Sequence, residues 1–156
     1  VHRCPNIEVV PDDDLTIRRL GSGDDADVMD AADLFDQPPR QPWVGSFLRD
    51  PTHHLLIACR AGRPVGFVSG VETTHPDKGT EMFLYELAVA PEERRRGVAR
   101  ALLDELATIA RSRSCYGMWV LTDADNTAAL AAYRSAGATA ESEHVMLSWD
   151  WSGAGS

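Results

Sequence analysis

Two groups of residues have the types and spacing to do chemistry. The first is the stretch ERRRGVARALL (93–103), where Arg94, Arg95 and Arg96 run into Gly97 and then into a helical pattern. Three adjacent cations oppose the dipole of a helix start, which favours anions. A strand that feeds a short basic loop and a glycine at a helix start is nevertheless a geometry for holding phosphate. Free backbone amides point at the anion, and guanidinium forks add charge and donors. The stretch is neither GxxxxGK[ST] nor GxGxxG. The second group is acidic. Glu86 stands in the otherwise apolar FLYELAV, with Glu81 nearer the start of the same run, and Asp123 and Asp125 lie in TDADN. A carboxylate inside an apolar strand is expected to face a cleft, where burial raises its pKa.

The elements that must position these groups follow from periodicity. LTIRRL (15–20) alternates weakly and predicts a first strand. GSGDD punctuates it, and Asp24 or Asp25 is placed to cap a helix through ADVMDAADLF. DQPPRQP breaks that helix, and WVGSFLRD predicts a short second one. Two apolar runs around RAGRP (residues 54–74) predict a β-hairpin. TEMFLYELAVAP (80–91) predicts a long strand, apolar on both faces in its second half and so buried on both sides. Val98, Leu102, Leu103, Leu106, Ile109 and Ala110 give the next helix an apolar stripe. GMWVLTD (117–123) predicts another strand. NTAALAAYRSAG (126–137) predicts a helix capped by Asn126 and stopped at Gly137. ATAESEHVMLSWDW (138–151) predicts one or two closing strands. The order describes a mixed α/β domain over residues 1–156, with 1–14 as a loose lead-in.

Composition narrows the partners. The chain has 156 residues, a net charge of −9 and one lysine, Lys78. Ten of its acidic residues fall between Glu8 and Asp36. Such a surface disfavours nucleic acid and anionic membrane and is compatible with a cationic partner. No apolar run approaches the roughly 20 residues of a membrane span, and the first residues lack the apolar core of a secretory signal, so a cytoplasmic location is expected. Cys4, Cys59 and Cys115 are odd in number without a CxxC, which predicts three reduced thiols and no zinc site. His53 and His54 are adjacent and would point to opposite faces of a strand, so no metal is expected.

The motifs taken together resemble those of the GNAT superfamily of N-acetyltransferases. Arg94-Arg95-Arg96-Gly97-Val98-Ala99 is similar to its R/Q-x-x-G-x-G/A pyrophosphate loop, after a matching strand LYELAVAP. Asn126, Ala129, Tyr133 and Gly137 resemble its N-x-x-A-x-x-x-Y-x-x-x-G helix. The resemblance covers residues 15–151. It implies a central mixed, mostly antiparallel sheet with a splayed central strand flanked by helices, and acetyl-coenzyme A as cofactor. It places pantetheine against the strand backbone of Leu87, Ala88 and Val89. It places the pyrophosphate on the amides of Arg95, Arg96, Gly97, Val98 and Ala99, with Arg94 and Arg100 nearby and Asn126, Ala129 and Tyr133 on the following helix.

Acetyl transfer to an amine needs a neutral nucleophile, a stabilised carbonyl oxygen and a proton for the leaving thiolate. By resemblance Tyr133 is the candidate proton donor, although its helical spacing also permits core packing. Glu86, beside the implied bulge, is a base or a substrate anchor. Glu81, Asp123 and Asp125 are candidate substrate carboxylates; the two aspartates could equally cap the Asn126 helix, and solvent exposure is the plainer account of Glu81. EMFLYELAVAPEERRRGVARALL, SFLRDPTHHLLIA and ALAAYRSAG resemble the type I aminoglycoside 3-N-acetyltransferases of the gentamicin and fortimicin group, many of which have Asp at the position of Glu86. The substrate this implies is a polycationic aminoglycoside acetylated at the 3-amino group. Alternatives are another small amine, a protein amine, or a sensor of acetyl-coenzyme A or antibiotic. Trp119, Trp149 and Trp151 read as core and dimer packing, since the family often forms homodimers through its late strands.

Overall fold

A computed structural model describes residues 14–139 and 141–153, so the expected lead-in lies outside the described residues except for Asp14. Among the described residues five strands form one sheet in the order β1-β2-β3-β4-β5. They are β1 (Leu15–Leu20), β2 (His53–Arg60), β3 (Arg63–His75), β4 (Gly79–Val89) and β5 (Met118–Val120). The first four pair antiparallel in sequence order. β4 and β5 are parallel, which requires a crossover, and α3 (Val98–Ser112) supplies it. The other helices are α1 (Asp25–Asp30), followed by a 3-10 turn Ala32–Leu34, then α2 (Gln41–Arg49) and α4 (Thr127–Ser135). This is the mixed, mostly antiparallel sheet with flanking helices that the family resemblance implies.

Local chemistry explains the joints. The β2–β3 hairpin turns at Ala61 (φ 49°) and Gly62 (φ 72°), the two positive φ values that match the twist of paired strands. α3 carries Val98, Leu102, Leu106 and Ala110 at four-residue intervals on one buried face. It ends where Ser114 turns left-handed (φ 59°), and the amide of Cys115 returns to the carbonyl of Ala110 at 2.9 Å. Asp24 precedes α1 but does not cap it. Its carboxylate instead accepts from the amide of Gly21 at 2.8 Å and from Arg18. Asn126 does cap α4, accepting from the amide of Ala129 at 3.1 Å, and Gly137 follows that helix at φ 104°.

The sheet separates two cores. Leu56, Val68, Met82 and Leu84 pack against Val98, Leu102, Leu103 and Leu106 of α3 on one face. On the other face Leu55, Ile57 and Phe67 pack against Val28, Val44 and Leu48 of α1 and α2. Each fully buried side chain of this size contributes about 1.5–3 kcal/mol. At the far edge of the first core, buried His54 lies with Nε2 2.8 Å from Glu72, and Glu72 accepts from Arg113 Nε at 2.6 Å, joining β2, β3 and the end of α3. Burial holds the His54 ring below its usual pKa and so favours its neutral form.

Three expectations are corrected. β5 stops at Val120 and leaves Leu121 exposed, so the strand is much shorter than GMWVLTD. Residues 141–151 form no strand, and Trp149 and Trp151 are 71% and 74% exposed rather than packed in a core. The alternation of Val145, Leu147, Trp149 and Trp151 suits a strand, but a strand needs a neighbour to satisfy its backbone, and among the described residues this stretch pairs with none. Cys59 is disulfide-bonded rather than reduced, whereas Cys115 is a free thiol.

The closest packing falls at two glycines of β3. A Cβ on Gly66 would sit 2.9 Å from the carbonyl oxygen of Ala88 and 2.9 Å from Val98 Cγ1. Backbone and a buried helix both hold that space, so neither side can yield freely. Gly66→Ala is therefore expected to destabilise the fold by about 1–3 kcal/mol through overpacking. Thermal or urea melting checks this, and an unchanged midpoint would contradict the packing described.

Candidate active site

β4 sets the geometry. Its ladder with β3 runs from His75↔Gly79 to Gly70↔Leu84, then resumes at Ser69↔Glu86. Tyr85 is the extra residue, a β-bulge. Because side chains alternate along a strand, one extra residue exchanges the faces of everything beyond it. Met82 and Leu84 face α3; after the bulge Leu87 packs on that same core, while Ala88 packs against the opposite one. Glu86 therefore faces the α1/α2 side, level with buried Ser69.

On its other edge β4 pairs with β5 only at Met82↔Met118, Phe83↔Trp119 and Leu84↔Val120. β4 continues to Val89, so Glu86, Leu87, Ala88 and Val89 have no β5 partner. The expectation that this half is buried on both sides is thus corrected: residues 86–89 are half-buried and Tyr85 is exposed. The strand looks buried by composition because it lines a gap, not because a neighbour covers it.

Glu86 lies under the loop after the 3-10 turn. Burial and the nearby charge of Asp36 raise its pKa, and a hydrogen bond from the Asp36 amide opposes them. Phe35, beside Asp36, stacks on Phe67 with ring centroids 4.1 Å apart, and this fixes the loop above Glu86. Asp36 contacts Glu86 across fifty residues of chain, and no sequence signal singles it out from its acidic neighbours. Glu81 is not part of this cluster. It sits five residues earlier on β4, where its Oε2 accepts from the Tyr116 hydroxyl at 2.8 Å.

The basic loop follows a 3-10 turn at Pro91–Glu93. Arg95 adopts φ 61° and Gly97 φ 83°, and α3 begins at Val98 without a side-chain cap. A non-glycine residue at positive φ is uncommon and clusters at ligand sites. The first amides of a helix have no partner within it. The φ reversals at Arg95 and Gly97 form the kind of concave backbone that holds anions. A Cβ on Gly97 would meet nothing within 4 Å, so the loop opens outward there. Arg94 and Arg95 are exposed. Arg96 donates to buried Glu93 at 3.0 Å, and Arg60 donates to the same carboxylate at 2.9 Å. Arg100 is held by Asp104 at 2.9 Å and by the carbonyl of Ser135 at 2.5 Å, which ties α3 to the end of α4. The buried Glu93 anchor is a residue that sequence reasoning missed.

Tyr133 is on the other side of the sheet from Glu86. It packs against the α3 core and lines an open groove of about 280 Å³ with Leu84, Leu103, Cys115 and Val120. Burial raises its pKa, so its hydroxyl keeps its proton at neutral pH. Asp123 and Asp125 lie exposed in the turn before α4, where their carbonyls accept from the amides of Asn126 and Thr127. Asn126 spends its side-chain oxygen on the cap. Among the described residues no three His, Cys, Asp or Glu are placed to hold a metal, and no helix is long and apolar enough to cross a membrane.

A strand that diverges from its neighbour after a bulge, followed by an anion-binding loop at a helix start, suits a long ligand with a pyrophosphate at one end. The sequence profile of the acetyltransferase (GNAT) family matches residues 24–138, and the chain belongs to that family. It is 39% identical over 57 residues to the [ribosomal protein bS18]-alanine N-acetyltransferase of Escherichia coli K12, a segment spanning 36% of this chain and 38% of that relative. The fold is shared with an aminoglycoside acetyltransferase from an uncultured soil metagenomic sample solved with sisomicin, at 20% identity and TM-score 0.81, covering 87% of this chain and 95% of that one. It is also shared with the aminoglycoside acetyltransferase AAC(6')-Iy bound to a coenzyme A–acetylneamine bisubstrate analogue, at 21% identity and TM-score 0.76, covering 88% and 98%.

The anion site predicts the effect of one substitution. Gly97→Asp places bulk in a left-handed position and a negative charge where the loop opens. It is expected to abolish measurable binding of coenzyme A in calorimetry while leaving the far-UV spectrum unchanged; undiminished affinity would move the pyrophosphate elsewhere.

Proposed function

We propose that the protein is an acetyl-coenzyme A-dependent N-acetyltransferase whose acceptor is an amino group of a polycationic aminoglycoside. The observation that carries the reading is Glu86. It is a half-buried carboxylate with a raised pKa, carried by a bulge to the mouth of the β4–β5 gap, with Asp36 beside it. When bound, the cofactor supplies a thioester-activated acetyl group. The free backbone of Leu87, Ala88 and Val89 would align its pantetheine arm. The amides of Arg95, Arg96, Gly97, Val98 and Ala99 would hold its pyrophosphate, with Arg94 adding charge and Ala129 beside the arm on α4.

Glu86 would bind the incoming ammonium as the ionised carboxylate and accept its proton, and a raised pKa makes that carboxylate a stronger base. Tyr133, kept protonated by its surroundings, would hold a proton at Oη for the departing thiolate. Asp36 strengthens the field that draws a cation to Glu86. Asp123 and Asp125 would meet further ammonium groups at the rim. The 3-amino group is the proposed position, on the strength of the resemblance of residues 81–103 and 129–137 to the gentamicin and fortimicin group.

A second reading rests on the 39% identity to the bS18-alanine N-acetyltransferase: the acceptor would be the terminal amine of a protein. Thiol release from acetyl-coenzyme A with gentamicin, sisomicin, kanamycin, spermidine and an alanine-terminated peptide decides between them. Turnover confined to the aminoglycosides supports the first reading, and mass spectrometry with NMR then locates the acetyl group. Turnover confined to the peptide supports the second.

Two variants test the roles. Glu86→Gln is expected to lower kcat/KM by about 10²-fold or more. The wild-type acid limb in kcat/KM should lie above the range of an exposed glutamate, because burial and Asp36 raise the pKa. That limb should disappear in Glu86→Gln, and its persistence would assign the base elsewhere. Tyr133→Phe is expected to lower kcat by about 10²-fold with cofactor affinity nearly unchanged. Normal kcat with weakened cofactor binding would make Tyr133 a packing residue.

A further inference from the structure

The face of the sheet that carries Glu86 is only partly covered. α1, α2 and the 3-10 turn pack over β2, β3 and, within β4, Ala88, while Tyr85 of β4 and Trp119 of β5 keep exposed surface. On this uncovered part three aromatic rings gather. Phe83 stacks on Trp119 with centroids 4.2 Å apart and planes at 23°, and Tyr85 meets Phe83 edge-on at 5.8 Å. The parallel pairing Phe83↔Trp119 is what brings them together. Trp119 remains 39% exposed and Tyr85 68% exposed. Phe83 is opposite Val71, two residues beyond Ser69 on β3, so it shares the face of Glu86. The stacked Phe83–Trp119 pair, with Tyr85 standing perpendicular to Phe83, makes an apolar shelf on which the outer ring face is that of Trp119, bordered by carboxylates: Glu86 with Asp36 at one end, and Glu81, held by Tyr116, at the other.

We propose that this shelf is the acceptor platform and that Trp119 and Phe83 select amines carried on a saturated ring. A ring such as an aminocyclitol or amino sugar presents C–H groups on its flat face and ammonium groups at its edge. The C–H face matches the aromatic shelf, and the edge ammonium groups match the carboxylates at its two ends. A cation at the rim also gains from the ring faces. A linear polyamine has the charge but no flat face, and a peptide terminus has one cation where the shelf offers acidic groups at both ends. Trp119, which the sequence assigns to packing, becomes a specificity residue. The inference rests on the proposed N-acetyltransferase reading and deepens it by naming the feature of the acceptor that is recognised.

The test compares neamine with spermidine on the full chain, using Trp119→Leu, Trp119→Phe and the wild type. Calorimetric Kd values are measured with coenzyme A present, and KM and kcat with acetyl-coenzyme A. Wild type is expected to prefer neamine. Trp119→Leu should weaken neamine binding and raise its KM about tenfold, the size of one lost stacking contact, with kcat and the spermidine constants little changed. Trp119→Phe should restore most of the loss. Equal neamine affinity in wild type and Trp119→Leu overturns the shelf even if turnover confirms the acetyltransferase. Neamine binding that needs Trp119 but gives no acetylation keeps the shelf and overturns the catalytic reading for that amine. Light scattering separates the rival occupant: if Trp119→Leu halves the molecular mass instead of changing Kd, the shelf is a contact between copies of the chain and the proposal fails.

Discussion

The whole site depends on one surplus residue in β4. With Tyr85 bulged, the alternation of the strand changes phase between Leu84 and Glu86. Without that change, Glu86 would take the parity of Met82 and Leu84 and enter the α3 core, both of which are essentially inaccessible to solvent. An ionised carboxylate there, with no counter-charge among Leu102, Leu103 and Leu106, would cost several kcal/mol. The bulge converts that penalty into a half-buried acid at a cleft. The same kink accompanies the parting of β4 from β5, so one local irregularity provides both the acidic group and the free strand edge beside it.

The basic loop is a second case of charge arranged around a constraint. Arg94, Arg95 and Arg96 repel one another and the positive end of α3. Glu93, 5% exposed and beneath them, receives both Arg60 and Arg96 and so pins the loop to β2. One of the three arginines thus serves the fold. The other two are left at the surface beside the open amides. A buried carboxylate with one partner would be a liability, but two guanidinium groups satisfy both of its oxygens. The arginine run reads in sequence as a ligand signal alone; its internal counter-ion becomes visible only when β2 is placed beside the loop.

What the sequence makes legible is what is local. The weak alternation of 15–20, the turn at Ala61–Gly62, the stripe of α3 and the cap at Asn126 all depend on neighbours within one element, and each appears where periodicity places it. The failures are non-local. β5 ends early and residues 141–151 stay unpaired because a strand exists only with a partner, and the partner is not encoded in the strand's own pattern. Asp36 meets Glu86 next to the Phe35–Phe67 stack, a contact between residues far apart in the chain. Trp119 meets Phe83 only because β5 runs parallel to β4 in one register, a fact of topology rather than of composition.

That topology also bears on the proposal that Tyr133 and Glu86 serve one site although the sheet lies between them. Tyr133 packs on the α3 side and Glu86 faces the α1/α2 side. A continuous ladder would keep them apart, since a paired sheet has no opening through which one molecule touches both faces. The β4–β5 pairing ends at Leu84 and Val120, so beyond that point no β5 ladder separates the two faces. Under the proposed roles Leu87, Ala88 and Val89 would hold the acyl donor along the seam, Glu86 would receive the amine from the aromatic face, and Tyr133 would offer its proton from the α4 side. Glu86 and Tyr133 would then act from opposite faces of one sheet, so base and proton donor would not compete for the same volume. The short β5 is therefore consistent with the proposed roles: each further residue paired with β4 would take up part of the free strand edge that the proposal assigns to the acyl donor.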